Sequence, residues 1–297
     1  MKKVLIGRLG VIAFFSLALA ACQKDVSPLT EQGPVALSFQ SNNSNPENIS
    51  FYALAGNTLD KYSTSNPETL LGSATITGLQ NAETVLGLDF RPRNGKLYAL
   101  GSKSRVYIVN PTTGVATFAF SFKTTMGMAV LLSGTSFGFD FNPQVDRLRI
   151  ISNTGQNLRI VPDNAATGVA GTTFVDTNIN PQPAQITGVA YDNNFAGTLS
   201  TELYALDATV DVMYEVFPPN RGTLIQPLSV NLKLEGAGGF DIAPRNANVI
   251  TDIGLALYEI NKKSTLFQID VETGATRILA KYDKEISYTS LAISPAL

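Results

Sequence analysis

Six residues near the middle of the chain, Gly138 to Pro143 (GFDFNP), occur in recognisable form five times, and this period leaves few folds open. The copies are GLDFRP from Gly87, GFDFNP from Gly138, GVAYDN from Gly188, GFDIAP from Gly239 and SLAISP from Ser290. Successive steps are therefore 51, 50, 51 and 51 residues. A period so steady, and of this length, belongs to repeat architectures in which each unit buries its apolar face against its neighbours.

Each unit repeats one order of strands. After the first strand comes a second, such as Leu97 to Leu100 or Leu148 to Ile151, and then a third, such as Val106 to Val109 or Leu158 to Val161. A turn such as Asn110-Pro111-Thr112-Thr113-Gly114 leads to a fourth. Short β-rich runs broken by Gly, Pro, Asn and Thr are hairpin chemistry. Four antiparallel strands in about 50 residues, repeated, make a propeller blade. The fifth copy has no second strand after it, and the missing partners stand at the other end of the repeat region, as Phe51 to Leu54 and Thr58 to Tyr62. The expected fold is all-β: a five-bladed β-propeller of four-stranded antiparallel blades, with the C-terminal strand completing the N-terminal blade. Such closure removes the open sheet edge.

Composition agrees and excludes several chemistries. Charged residues are only 15% of the 297, with 24 Gly and 15 Pro, a strand-and-turn balance rather than a helical one. There is no histidine, which rules out Ser-His-Asp or Cys-His catalysis and imidazole-bound zinc. One cysteine, Cys22, excludes an intrachain disulfide and a thiolate cluster. No cofactor is expected and no metal ligands are assigned; calcium, which takes oxygen ligands, is the common metal left open. A formal net charge of −2 argues against nucleic acid as a partner.

Residues 1–21 read as a signal peptide. Lys2, Lys3 and Arg8 precede an apolar run from Leu9 to Ala21 that is too short for a comfortable membrane span. Leu19-Ala20-Ala21-Cys22 resembles the bacterial lipobox, which implies lipidation of Cys22 and a membrane anchor rather than a span. Without the leader, 19 basic residues face 24 acidic ones. Residues 22–46 form the lipidated cysteine and a polar tether with a reach on the order of 25 to 30 Å. The propeller is expected over 47–297. Gln23, in place of an aspartate, points to the outer membrane, and Cys22-Gln23-Lys24-Asp25 resembles the start of a surface-export signal of Bacteroidota lipoproteins.

The series GLDFRPRNGKLYALGSKSRVYIVNPTTG, SFGFDFNPQVDRLRIISNTGQNLRIVPD and FPPNRGTL resembles the bacterial domain-of-unknown-function family numbered 4394, over roughly residues 48–297. The resemblance implies a propeller-like fold and carries over no catalytic residue.

Two groups of residues are candidates for function. Asp89, Asp140 and Asp241 share one repeat position on the first strand, which in a propeller lines the central channel. They read either as a cation site or glycosidase-like acid pair, or as acceptors for backbone groups at the same joint of each blade. The second group lies where the repeat breaks. Most blades carry aromatic rings at the second position of strands two and three (Tyr98 and Tyr107, Tyr204 and Tyr214, Tyr258 and Phe267), whereas the third carries Arg149 and Arg159. Two facing guanidinium groups repel unless something anionic lies between them. With Arg147 and the turn residues Asn153 and Gln156, they read as an anion or acidic-sugar site, or as cations paired internally with Asp140, Asp146 or Asp163. The chain is thus expected to be an extracytoplasmic binding or scaffolding module. A membrane reached through lipid, and a glycan, an anionic ligand or an envelope protein, are its expected partners. A propeller hydrolase using the channel carboxylates is the alternative.

Overall fold

Alternating short β-rich runs and turns give twenty strands among the described residues, grouped into five four-stranded antiparallel sheets. The structure is a computed structural model that describes residues 48–80, 82–244, 253–282 and 286–295. The leader, Cys22 and the tether lie outside the described residues. No helix among the described residues is long and apolar enough to cross a membrane.

Blade two runs outward as β4 (Val85–Arg91), β5 (Lys96–Gly101), β6 (Arg105–Val109) and β7 (Ala116–Ser121). Blade three is β8 (Phe137–Asn142), β9 (Arg147–Ser152), β10 (Asn157–Ile160) and β11 (Thr173–Val175). Blade four is β12 (Ile186–Tyr191), β13 (Leu203–Asp207), β14 (Val212–Val216) and β15 (Leu224–Ser229). Blade five is β16 (Glu235–Ile242), β17 (Ile253–Ile260), β18 (Lys263–Asp270) and β19 (Thr276–Lys281). Blade one joins the two ends of the chain: β20 (Ser290–Ile293) lies beside β1 (Ser50–Ala55), followed by β2 (Thr58–Ser63) and β3 (Gly72–Thr75).

The turn between strands three and four shows why the sequence repeats at this level. In blade two the Asn110 side-chain oxygen accepts the backbone N–H groups of Thr112 and Thr113; in blade five Asp270 does the same for Glu272 and Thr273. An Asn or Asp six residues before the fourth strand thus closes the turn with its own side chain.

The glycine that opens the repeat has a packing reason. Inner strands of adjacent blades meet around the axis, in the order β4, β8, β12, β16, β20 and back to β4. A Cβ on Gly138 would stand 2.6 Å from the Val189 backbone nitrogen, and one on Gly239 only 2.1 Å from that of Leu291. Glycine therefore lets neighbouring backbones touch, and the seams are filled by Leu, Ile, Val, Phe and Tyr from both sides. Tyr98, Tyr107, Tyr258 and Phe267 are fully buried in these seams, whereas Tyr204 and Tyr214, at the same repeat positions in blade four, are only half-buried.

Candidate functional site

At the axis, the repeat position after the shared glycine-apolar pair holds Asp89, Asp140, Ala190, Asp241 and Ala292. Each aspartate reaches the next blade. Asp89 Oδ2 accepts the Phe141 N–H at 2.8 Å, Asp140 Oδ1 the Tyr191 N–H at 3.2 Å, and Asp241 Oδ2 the Ile293 N–H at 2.6 Å. Where β20 meets β4, a neutral group does the same work: the Ser290 hydroxyl accepts the Leu88 N–H at 3.0 Å.

The expected channel is not open to solvent at this level. Close packing of the inner strands leaves Asp89, Asp140 and Asp241 only 2%, 1% and 2% exposed. The three nevertheless converge, with one oxygen from each within 4.8 Å of the others. Burial, and then the neighbouring carboxylates, push Asp89 and Asp140 well above the ordinary carboxylate range. Burial pushes Asp241 up to about 7. Among the described residues, carboxylates buried to this degree present almost no surface to a sugar ring, which does not favour a glycosidase-like acid pair.

The arginine group lies elsewhere, on the face where the inner strands end. Arg149 and Arg159 are direct register partners on β9 and β10. What lies between them is Asp176, one residue beyond β11: its Oδ2 accepts Arg149 Nη1 at 2.8 Å and Arg159 Nε at 3.1 Å. None of the three expected partners serves. Asp140 is at the axis, while Asp146 and the Asp163 carbonyl both bind Arg91. Sequence proximity misled, because the chain leaves blade three through residues 161–172 before β11 returns with Asp176 beside it.

Arg149 is held on every side. Besides Asp176 it donates to Asn157 Oδ1 and to Asn220 Oδ1, both at 2.7 Å, and lies 3.4 Å from the Tyr191 hydroxyl. Burial opposes its charge, but Tyr191 and Asp176 outweigh that and hold its pKa above the ordinary guanidinium value. Arg159 is more open, its side chain 27% exposed and its guanidinium 4.5 Å from the centre of the Phe174 ring. Arg147 donates to the backbone oxygens of Val145, Asp146 and Thr167 and to the Thr167 hydroxyl. Burial lowers its pKa, Asp146 opposes this, and the charges of Arg159 and Arg91 add to the lowering.

These three arginines line a pocket of about 650 Å³ between blades three and four, together with Gln144, Tyr191, Thr201 and Asn220. Among the described residues, no Asp or Glu lines it. Asn153 and Gln156 are not part of it. They stand at the far end of β9, roughly 17 Å along the strand from Arg147. There Asn153 accepts the N–H groups of Thr135 and Ser136, and Gln156 joins Ser133 and the Leu131 carbonyl. Both fasten the connection from blade two to blade three. The sequence reading missed Asn220, Tyr191 and Asp176; Asn220 sits in a 3-10 turn (Pro219–Arg221) that the sequence marks only as a turn.

A second pocket of about 490 Å³ adjoins the first, sharing Thr201 and Pro219, and has the opposite character. Asp192, Glu202, Glu215 and Glu272 line it with Tyr204, whose hydroxyl donates to Glu202 Oε2 at 2.9 Å. Burial, and then Glu202 and Asp192, raise the pKa of Glu215.

A family model described as a domain of unknown function (DUF4394) matches residues 58–292. No curated protein matches the chain. Solved structures of similar fold include a structural genomics protein of unknown function from Bacteroides thetaiotaomicron, at 12% identity and TM-score 0.48, covering 86% of this chain and 68% of that one. TolB from Acinetobacter baumannii matches at 12% identity and TM-score 0.42, covering 85% and 68%. A chain of a nidogen/laminin complex matches at 11% and 0.43, covering 83% and 98%. Likenesses at this level carry no argument about function.

Proposed function

Because the chain belongs to the DUF4394 family, a family without a described activity, we propose its function from its own surface: a binding module for a compact anion, carried outside the cytoplasm on a lipid at Cys22. The observation that carries this reading is the pocket with three arginines and no acidic lining residue. Asp176 is shared between Arg149 and Arg159, so one carboxylate answers two guanidinium groups, and Arg147 is bound only by neutral oxygens and hydroxyls in its hydrogen bonds. A bound phosphate, sulfate or carboxylate supplies the missing negative charge, and arginine forks suit such oxyanions. The volume is that of a small-molecule site. The acidic pocket next door repels a long polyanion laid across blade four, which favours a compact ligand such as an acidic sugar or a phosphorylated metabolite.

Arg149 is the strut of this site and a poor test residue, since its removal strands Asp176, Asn157 and Asn220. Arg147 and Arg159 are better. Thermal unfolding of the purified protein with phosphate, sulfate, uronic acids and neutral sugars should show stabilisation by the anions alone. At 100 times the dissociation constant the gain is about 2.7 kcal/mol, a rise of roughly 5–10 °C. Arg147→Gln and Arg159→Gln should abolish the rise while leaving the melting temperature without ligand within a few degrees. Equal shifts in wild type and the double variant would sink the assignment.

The anchor has its own test. Wild type should sediment with membranes and require detergent for release, and Cys22→Ser should be recovered in the soluble fraction. A Cys22→Ser chain that still sediments with membranes would remove the lipid from the account.

A further inference from the structure

We propose that Asp89, Asp140 and Asp241 form a binding site for a calcium-class cation on the propeller axis. The first support is geometric. Three oxygens mutually within 4.8 Å leave a point no more than about 2.8 Å from all of them. A contraction of a few tenths of an ångström reaches the Ca²⁺–oxygen range of about 2.3–2.6 Å, whereas Mg²⁺ at about 2.0–2.1 Å would need a larger collapse. The donors are all carboxylate oxygens, with no nitrogen or sulfur to favour zinc or copper.

The second support is an atom left without a partner. Asp89 Oδ1 is fully buried and accepts no hydrogen bond, while its Oδ2 is engaged by Phe141. A buried carboxylate oxygen without a donor is costly, and a cation between the three residues would satisfy it.

The third is a comparison the repeat itself provides. Blade architecture does not require a carboxylate at this joint: Ala190 and Ala292 occupy the same position in blades four and one, and the Ser290 hydroxyl ties blade one to blade two. Three acids are nevertheless placed with oxygens within 4.8 Å of one another and are almost fully buried. No Lys or Arg among the described residues forms an ion pair with them. With all three carboxyls ionised, a divalent cation offsets two of the three negative charges. The backbone N–H groups of Phe141, Tyr191 and Ile293 would then act as outer-shell donors that aim each carboxylate inward.

The experiment is equilibrium dialysis and thermal unfolding of the full-length chain in detergent, after removal of metal with EDTA. Expected are one calcium bound per chain and a rise in melting temperature on adding calcium, of about 5–10 °C at 100 times the dissociation constant. Magnesium at the same concentration should give a smaller rise. Asp89→Asn keeps an acceptor for Phe141 but removes a charged ligand, and should weaken calcium binding at least tenfold. Glu215→Gln, in the acidic surface pocket, should leave it unchanged. A wild-type chain that binds no calcium at millimolar concentration and melts alike in EDTA and in calcium overturns the proposal, whether or not the variants fold. So does full binding by Asp89→Asn or its loss in Glu215→Gln.

Discussion

Deletion of residues 289–297 should leave a chain that no longer unfolds cooperatively. Strand β20 pairs with β1 through Phe51↔Ile293, Tyr52↔Ala292, Ala53↔Leu291 and Leu54↔Ser290, and it is bonded at both ends, by Thr289 N–H to the Leu54 carbonyl and Ser294 N–H to that of Ser50. It also carries two interblade contacts: Ile293 N–H to Asp241 and the Ser290 hydroxyl to Leu88 N–H. Leu291, Ala292 and Ile293 are buried. Burial of the leucine and isoleucine alone is worth about 1.5–3 kcal/mol each. The deletion further exposes the β1 edge and opens the seams to blades five and two, against a total stability of about 5–15 kcal/mol. Circular dichroism during urea unfolding should show a broad transition or none. Grafting residues 286–295 ahead of Asn48 through a short hairpin loop should restore cooperativity, because β20 and β1 are antiparallel neighbours. A truncated chain that melts like the parent would contradict the closed ring.

Substitution of Arg91 by Met should cost about 3–5 kcal/mol, the range for stripping one partner from a buried ion pair. Arg91 ends the inner strand of blade two and is 1% exposed. It holds Asp146 of blade three with two parallel bonds, Nε to Oδ1 at 2.7 Å and Nη2 to Oδ2 at 2.6 Å. Its Nη1 donates to the Asp163 carbonyl at 2.7 Å and the Tyr98 hydroxyl at 3.1 Å. The methionine fills part of the volume but leaves Asp146 and the Asp163 carbonyl without this donor. Arg93 supplies the internal control: it lies 3.7 Å from the same carboxylate, but its side chain is 49% exposed. Arg93→Ala should therefore cost no more than about 1 kcal/mol. A double-mutant cycle of Arg91→Met with Asp146→Ala should return a coupling of at least 1.5 kcal/mol. Additive effects would mean that the paired geometry contributes nothing to the seam between blades two and three.

The repeat made most of the fold legible, because strand identity follows from apolar runs and turns follow from local side chains such as Asn110 and Asp270. It also brought Asp89, Asp140 and Asp241 to one level by register alone. The site was legible only in part. Replacement of two tyrosine positions by Arg149 and Arg159 was visible as a break in the pattern, and the facing geometry of the two followed from the hairpin. Their partner was not visible, since Asp176 belongs to no repeat position and returns beside them after an excursion of irregular chain. The same limit applies to Asn153 and Gln156, which are near the arginines in sequence yet separated from the pocket by the length of β9.

The sequence by itself determined the number of blades, the strand order within each and the closure by residues from the two ends, since these depend on local patterning and a period that any close-packed ring must respect. Tertiary structure alone decided which charges meet. Pairing of Arg91 with Asp146, of both blade-three arginines with Asp176, and of the Arg149 guanidinium with Asn220 depends on how far each loop travels before returning. It also decided that the axis is a buried cluster of acids rather than an open channel. The repeat glycine of four inner strands permits close approach, but only the ring of five strands, with Gly138 against Val189 and Gly239 against Leu291, shows that the approach buries these carboxylates almost completely.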